Sequence, residues 1–331
     1  MKVVGTRRFQ VVRCRKSKKD RFSLFPYKQI DVLSLSEAIK QYSWSVTSFD
    51  LPNAWKHSQG EGVTIAVLDT GCDLNHCELK SNLLPGCNFV ELGRDPEDHN
   101  NHGTHVTGSI CADNDNYIVG IAPKAKVRPV KVLDDNGNGN LNWVAQGIKW
   151  AVDQKVDIIA MSLGCPRSVP VVWKEIKRAY AKGIVVFVAA GNAGNTRDVF
   201  YPAAYPETIA IGAIDASFKR AQFSNTGDNL DFMAPGVDIL STIPNNWYAV
   251  LSGTSMAQPF ACGVAALLLS YARNTPNSGI VLNNMEDYKK VFMEHTTPVV
   301  NGNYTNEKFY NGYGIIDPRK FIEAMTKKQN H

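Results

Sequence analysis

Three side chains of complementary chemistry stand in glycine-bearing contexts: Asp69 closes AVLDTG, His102 opens HGTHVTG, and Ser255 lies in SGTSMAQPFACGVAALLLSYA. A serine hydroxyl is a poor nucleophile at neutral pH. It needs a base within hydrogen-bond reach, and the base needs an acceptor that fixes its tautomer and stabilises its charged form. An aspartate, a histidine and a serine fill those three roles, and the chemistry is acyl transfer. Acyl transfer also builds negative charge on a carbonyl oxygen. AAGNAG places Asn192 in a glycine-flanked turn from which its amide can donate to that oxygen. Ser255 opens a helix expected from Met256 to Ala272, so the helix dipole and its free N–H groups favour an oxyanion beside it. Taken singly, each residue has a structural reading, the serine as a helix cap above all; the combination carries the weight.

Regular elements must bring these residues together. Short runs, VTIAVL (63–68), VRPVKVL (127–133), DIIAMSL (157–163), IVVFVAA (184–190) and TIAIGA (208–213), alternate with helical patterns. In LNWVAQGIKWAVDQ the residues Leu141, Val144, Ile148, Ala151 and Val152 share one helical face, and VPVVWKEIKRAYAK reads as a second helix. Near-continuous Val and Ile runs between helices predict an α/β fold, a mainly parallel central sheet with helices on both faces. Working residues of such sheets gather at the carboxyl ends of the strands, which points to Asp69, Ser162, Gly164 and Asn192. No internal repeat or low-complexity linker divides residues 45–320, so that span is read as one catalytic domain. Residues 1–44 form a basic extension and 321–331 a C-terminal tail.

The motifs DTG, HGTHV-G and GTSMA, in this order, resemble those of the subtilisin-like serine proteases (subtilases), and the similarity extends over residues 45–320. The resemblance implies a serine endopeptidase acting on protein or peptide chains through an acyl-enzyme, with no organic cofactor. Asp69, His102 and Ser255 would be the triad and Asn192 the oxyanion donor, leaving His105 structural. MSLG is similar to the family's substrate-binding strand, so Ser162, Leu163 and Gly164 are expected to pair with extended substrate backbone. NGNG is similar to the opposite edge, where Gly137 and Gly139 let that backbone approach closely. GYGIID (312–317) is similar to the closing strand. The competing reading is a catalytically inactive subtilase-fold binding or regulatory protein, against which the intact triad and Asn192 stand.

Some positions depart from the family pattern. Phe200 replaces a small residue at the base of the pocket for the side chain before the cut, and Ala193 follows Asn192 where many members carry an acid. The expectation is a preference for small or medium uncharged side chains, unless Phe200 turns away into core packing. Family members hold structural calcium, and CADNDNYIVG (111–120) lies at the family's calcium loop, so Asp113, Asp115 and Glu78 are its expected ligands. The loop is one residue shorter than usual, and HCEL puts Glu78 in place of the usual Asp. Phe260 stands where most members have a histidine outside the triad, with no chemical consequence expected.

The chain has 331 residues and a formal net charge of +5. Residues 1–30 carry ten Lys or Arg and one acid, so the remainder is net acidic. The basic tail reads as a solvated or removable extension, and nucleic-acid binding is not expected from its one nearby aromatic, Phe22. No run of eighteen apolar residues occurs and no signal-type apolar region follows the N-terminus, so no membrane role is expected. Seven cysteines without zinc spacing fit free thiols in a reducing compartment, hence the cytoplasm. SLFPYKQ (23–29) resembles the short inhibitory element of bacterial intracellular subtilisins, with Leu24, Phe25, Pro26 and Tyr27 in its places. The chain's own extension is thereby expected to lie in the cleft as a tethered inhibitor, Pro26 bending the backbone away from cleavable geometry. Intracellular subtilisins are often dimers, which makes a homodimer an expectation of the same resemblance.

Overall fold

The computed structural model describes residues 21–33, 43–113, 117–194, 198–275, 278–300 and 307–329. The five β-rich runs become the strands Thr64–Asp69, Lys126–Lys131, Ile158–Met161, Val185–Ala189 and Ile209–Ile214. They form the middle of a nine-stranded sheet. Its order is Thr296–Thr297, Ile315–Ile316, Phe232–Pro235, Ile209–Ile214, Val185–Ala189, Ile158–Met161, Thr64–Asp69, Lys126–Lys131, Cys87–Asn88. All pairings are parallel except that of Thr296–Thr297 with Ile315–Ile316. Ile158–Met161, Val185–Ala189 and Ile209–Ile214 are buried at every position, as a sheet covered on both faces requires.

Helices supply the cover. Leu141–Asp153 starts on Asn140, whose side chain accepts from the Trp143 amide at 2.9 Å, and it buries Val144, Ile148, Ala151 and Val152. It packs against Pro170–Ala181, which opens on a proline where a missing N–H costs nothing. His102–Cys111 packs against Thr254–Asn274. The latter is apolar and long enough to cross a membrane, but it is buried from Thr254 to Tyr271 and serves as the core helix. Phe260 on it packs on Phe49, ring centroids 5.0 Å apart.

The division of the chain at residue 320 needs correction. Pro318–Gln329 is one helix, and Phe321 and Ile322 are buried in the core, the Phe321 ring meeting Phe292 and His295. The boundary at 320 cut through this helix, whose Phe321 and Ile322 dock on the body.

Two small sheets tie down the N-terminal segment. Phe22–Leu24 lies between Asn138–Gly139 and Leu163–Gly164, and Lys28–Leu33 adds a third strand to the hairpin of Ile239–Ile243 and Trp247–Ser252.

Candidate active site

Asp69 ends its strand at the carboxyl edge of the sheet, and His102 opens the next helix, so the two meet although far apart in sequence. His102 Nδ1 donates to Asp69 Oδ1 at 2.8 Å and Oδ2 at 3.0 Å, with both side chains fully buried. Nδ1 therefore carries the proton, and the lone pair of the neutral ring is on Nε2. Nε2 is buried and has no hydrogen-bond partner among the described residues. Asp69 is itself oriented by the Thr70 amide, which donates to Oδ1 at 2.8 Å. Thr70 Oγ1 donates to buried Asp98 at 2.8 Å and accepts from the Gly103 amide at 2.9 Å, linking the strand end to the helix start. Asp98 also accepts from the Thr104 amide and hydroxyl. Thr70 and Asp98 are positioning residues that the motif reading missed; the Thr of DTG was the available signal, and Asp98, in an irregular polar stretch, offered none.

Ser255 is the second residue of the Thr254–Asn274 helix, and Gly253 takes the cap position. The Ser255 hydroxyl does not cap the helix; it donates to the Ser162 carbonyl at 3.4 Å. Asn192 performs the capping from across the site. Its Oδ1 accepts from the Thr254 amide at 2.9 Å and the Thr254 hydroxyl at 2.8 Å. With Oδ1 held by the helix start, Nδ2 faces the cleft and donates to the Pro26 carbonyl at 2.8 Å. The geometry thus sets the amide orientation from both sides.

His105 lies apart from this chemistry. Its Nε2 sits 3.1 Å from both the Ile239 and Ala249 carbonyl oxygens, and burial, reinforced by nearby His102, pushes its pKa down to about 3. It is a neutral packing residue joining helix to hairpin.

The N-terminal segment fills the cleft. Ser23 pairs with Gly164 and Asn138, Leu24 with Leu163, and Phe22 with Gly139, while the Leu24 amide donates to the Gly137 carbonyl at 3.0 Å. Gly164 is required here, because a Cβ on it would stand 2.5 Å from the Phe25 ring. Phe25 is 3 % exposed and lies beside Phe200, centroids 5.8 Å apart. The expectation that Phe200 shortens this pocket and limits it to small or medium side chains is corrected by that ring: Phe200 lines the space and leaves room for an aromatic. Phe22, which the sequence reading did not single out among the segment's working residues, is fully buried. Tyr27 covers His102 at 5.1 Å between ring centroids, and burial, then the charges of Asp98 and Asp69, push its hydroxyl pKa up to about 12.

Two of the residues expected to hold calcium, Glu78 and Asp113, are brought together by a backbone hydrogen bond. Glu78 is fully buried, and its Oε1 accepts from the Tyr117 amide at 2.6 Å, the Ile118 amide at 3.2 Å and the Tyr248 hydroxyl at 3.0 Å. Its carbonyl accepts from the Asp113 amide at 3.0 Å, and Asp113 Oδ2 accepts from Ser81 at 2.5 Å. Asp115 lies outside the described residues. Glu78 Oε2 is buried with no hydrogen-bond partner among the described residues, an oxygen acceptor of the kind calcium takes. No group of three or more His, Cys, Asp or Glu able to hold a metal occurs among the described residues. A calcium held at Glu78 Oε2 would make thermal unfolding sensitive to chelator, and Glu78→Gln is expected to cost about 1.5–3 kcal/mol by removing charge-assisted bonds. Calorimetry of both proteins with and without EGTA checks this, and unfolding of the parent protein unchanged by EGTA would remove calcium from Glu78.

The profile described as "Subtilase family" matches residues 60–314. The chain is similar to an "Intracellular serine protease" of Paenibacillus polymyxa, 43% identical over 75% of this chain and 78% of that one. It is similar also to the "Major intracellular serine protease" of Bacillus subtilis (strain 168), 44% identical over 75% of this chain and 80% of that one. Subtilisin E of the same organism is 41% identical over 79% of this chain and 66% of its own length.

Proposed function

Because the chain belongs to the subtilase family and is a subtilisin-like serine endopeptidase, we propose that Asp69, His102 and Ser255 are its triad, Asn192 its oxyanion donor, and residues 22–33 a built-in inhibitor. The observation that carries the inhibitory part is a mismatch of one residue at the cut. The ring in the specificity pocket belongs to Phe25, but the carbonyl on Asn192 Nδ2 belongs to Pro26. A substrate must offer side chain and carbonyl from the same residue. Pro26 is exposed, has a fixed φ and lacks an N–H, so the backbone steps past the position where its carbonyl could be attacked. Meanwhile Tyr27 covers the imidazole, and the Ser255 hydroxyl faces Ser162.

Once the segment leaves, the Ser255 hydroxyl can turn to the His102 Nε2 lone pair. Oγ then bonds to the substrate carbonyl carbon as its proton passes to Nε2, and the oxyanion is held by Asn192 Nδ2 and the helix N-terminus. The C–N bond breaks as Nε2–H protonates the departing amine, and water repeats the sequence to release the acid. Asp69 keeps the ring oriented and balances its charge throughout. The two relatives named as intracellular proteases, together with the six free cysteines among the described residues, support a cytoplasmic setting.

A peptide library tests specificity and function together. The folded full chain, cut by a site-specific protease at a sequence placed between Leu33 and Ser43 and freed of the released segment, should cleave after Phe or Leu about tenfold faster than after Ala. Equal or faster cleavage after Ala would overturn the pocket assignment. No cleavage at all would overturn the triad assignment.

A further inference from the structure

The segment does not stop at the catalytic residues. Beyond Tyr27 it continues as Lys28–Leu33, antiparallel to Trp247–Ser252, with Lys28 opposite Ser252, Gln29 opposite Leu251, Asp31 opposite Val250, Val32 opposite Ala249 and Leu33 opposite Tyr248. The register shifts once, between Val250 and Leu251. On its other side Trp247–Leu251 is paired to Ile239–Ile243. Ser252 leads through Gly253 straight into the helix that carries Ser255. The outer edge of this strand therefore runs directly away from the nucleophile along the path that chain beyond the cut must take.

Resting on the protease reading above, we propose that this edge is a substrate-binding strand for the leaving side of the cut, so that the enzyme's substrates are unfolded polypeptides held in extended form along the whole path now traced by Phe22–Leu33. When the inhibitory segment departs, the outward-facing N–H and C=O groups of Tyr248–Ser252 lose their partners, and a substrate strand can restore them. Recognition by main chain is indifferent to sequence. Lys28 and Gln29 are exposed, so the first positions along this edge select no side chain. Folded proteins and short peptides cannot supply a strand of this length, because a strand in a folded protein already has its pairing engaged.

The test uses the folded full chain cut between Leu33 and Ser43 and freed of its segment. Peptides share one sequence up to the cut and extend two or eight residues beyond it. Extension should raise kcat/KM by about tenfold or more, mostly through KM. In an antiparallel ladder only alternate residues point their N–H groups at the partner strand. N-methylation at one alternate set beyond the second position should therefore cancel the gain, and at the other set leave it intact. Equal kcat/KM for short and long peptides, or a gain indifferent to which set is methylated, overturns the proposal while cleavage itself upholds the protease reading. Failure to cleave even the short peptide would overturn both.

Discussion

Cutting the chain between Leu33 and Ser43 and removing the segment before the cut is expected to raise peptidase activity by a factor on the order of 10²–10⁴. A short tether presents its ligand at roughly millimolar effective concentration, so even a segment of micromolar intrinsic affinity leaves about one molecule in a thousand open. The segment's grip is built from parts visible along its length: Phe22 and Phe25 buried, Phe22–Leu24 paired on both edges, and Lys28–Leu33 paired to the hairpin. Steady-state hydrolysis of an unstructured protein before and after the cut measures the factor. A synthetic peptide of residues 21–33, added back in excess, should restore inhibition competitively. Equal activity before and after the cut would remove autoinhibition from the account and leave the triad standing.

The second large effect is chemical. Ser255→Ala in the cut enzyme is expected to lower kcat by roughly 10⁶, and Asn192→Ala by about 10²–10³; subtilisin, a relative of this chain, is the reference system for both magnitudes, which are carried over from it. The serine loss is the larger because nothing else in the site can form the acyl bond. The asparagine variant loses more than one donor, since Asn192 Oδ1 also holds the Thr254 amide and hydroxyl at the start of the helix that presents Ser255. A stability measurement separates the two contributions. Asn192→Asp, which keeps an oxygen acceptor for Thr254 but puts an anion at the oxyanion position, should keep most of the stability and lose the rate. An Asn192→Asp enzyme as active as the parent would show that the amide is not the donor.

Much of this was legible in the sequence, and the exceptions share a cause. Strand runs, the amphipathic face of 141–153 and the three motifs are local patterns, set by side-chain period and by turns that need glycine, so the sheet and the clustering of Asp69 with His102 followed from them. Phe200 was read as a plug because its place beside the pocket was known but its direction was not. The ring of Phe25, distant in sequence, is what shows the space beside it. Glu78 was read as a ligand by type, and its surroundings come from chain distant in sequence: Oε1 is taken by two amides and the Tyr248 hydroxyl, while Oε2 is buried without a partner among the described residues. The one-residue step between Phe25 in the pocket and Pro26 on Asn192 is a matter of register. A proline hints at such a step without fixing its size.

The central claim is that a complete acylating site is assembled and held closed by the chain's own segment. The most direct measurement is the rate at which a fluorophosphonate modifies the protein, with peptide mass spectrometry locating the adduct, in the intact and the cut chain. The account predicts a single adduct on Ser255, formed faster after the cut by about the same factor as the gain in peptidase activity, and none in Ser255→Ala. Labelling of the intact chain as fast as the cut chain, or an adduct on any other residue, would contradict it.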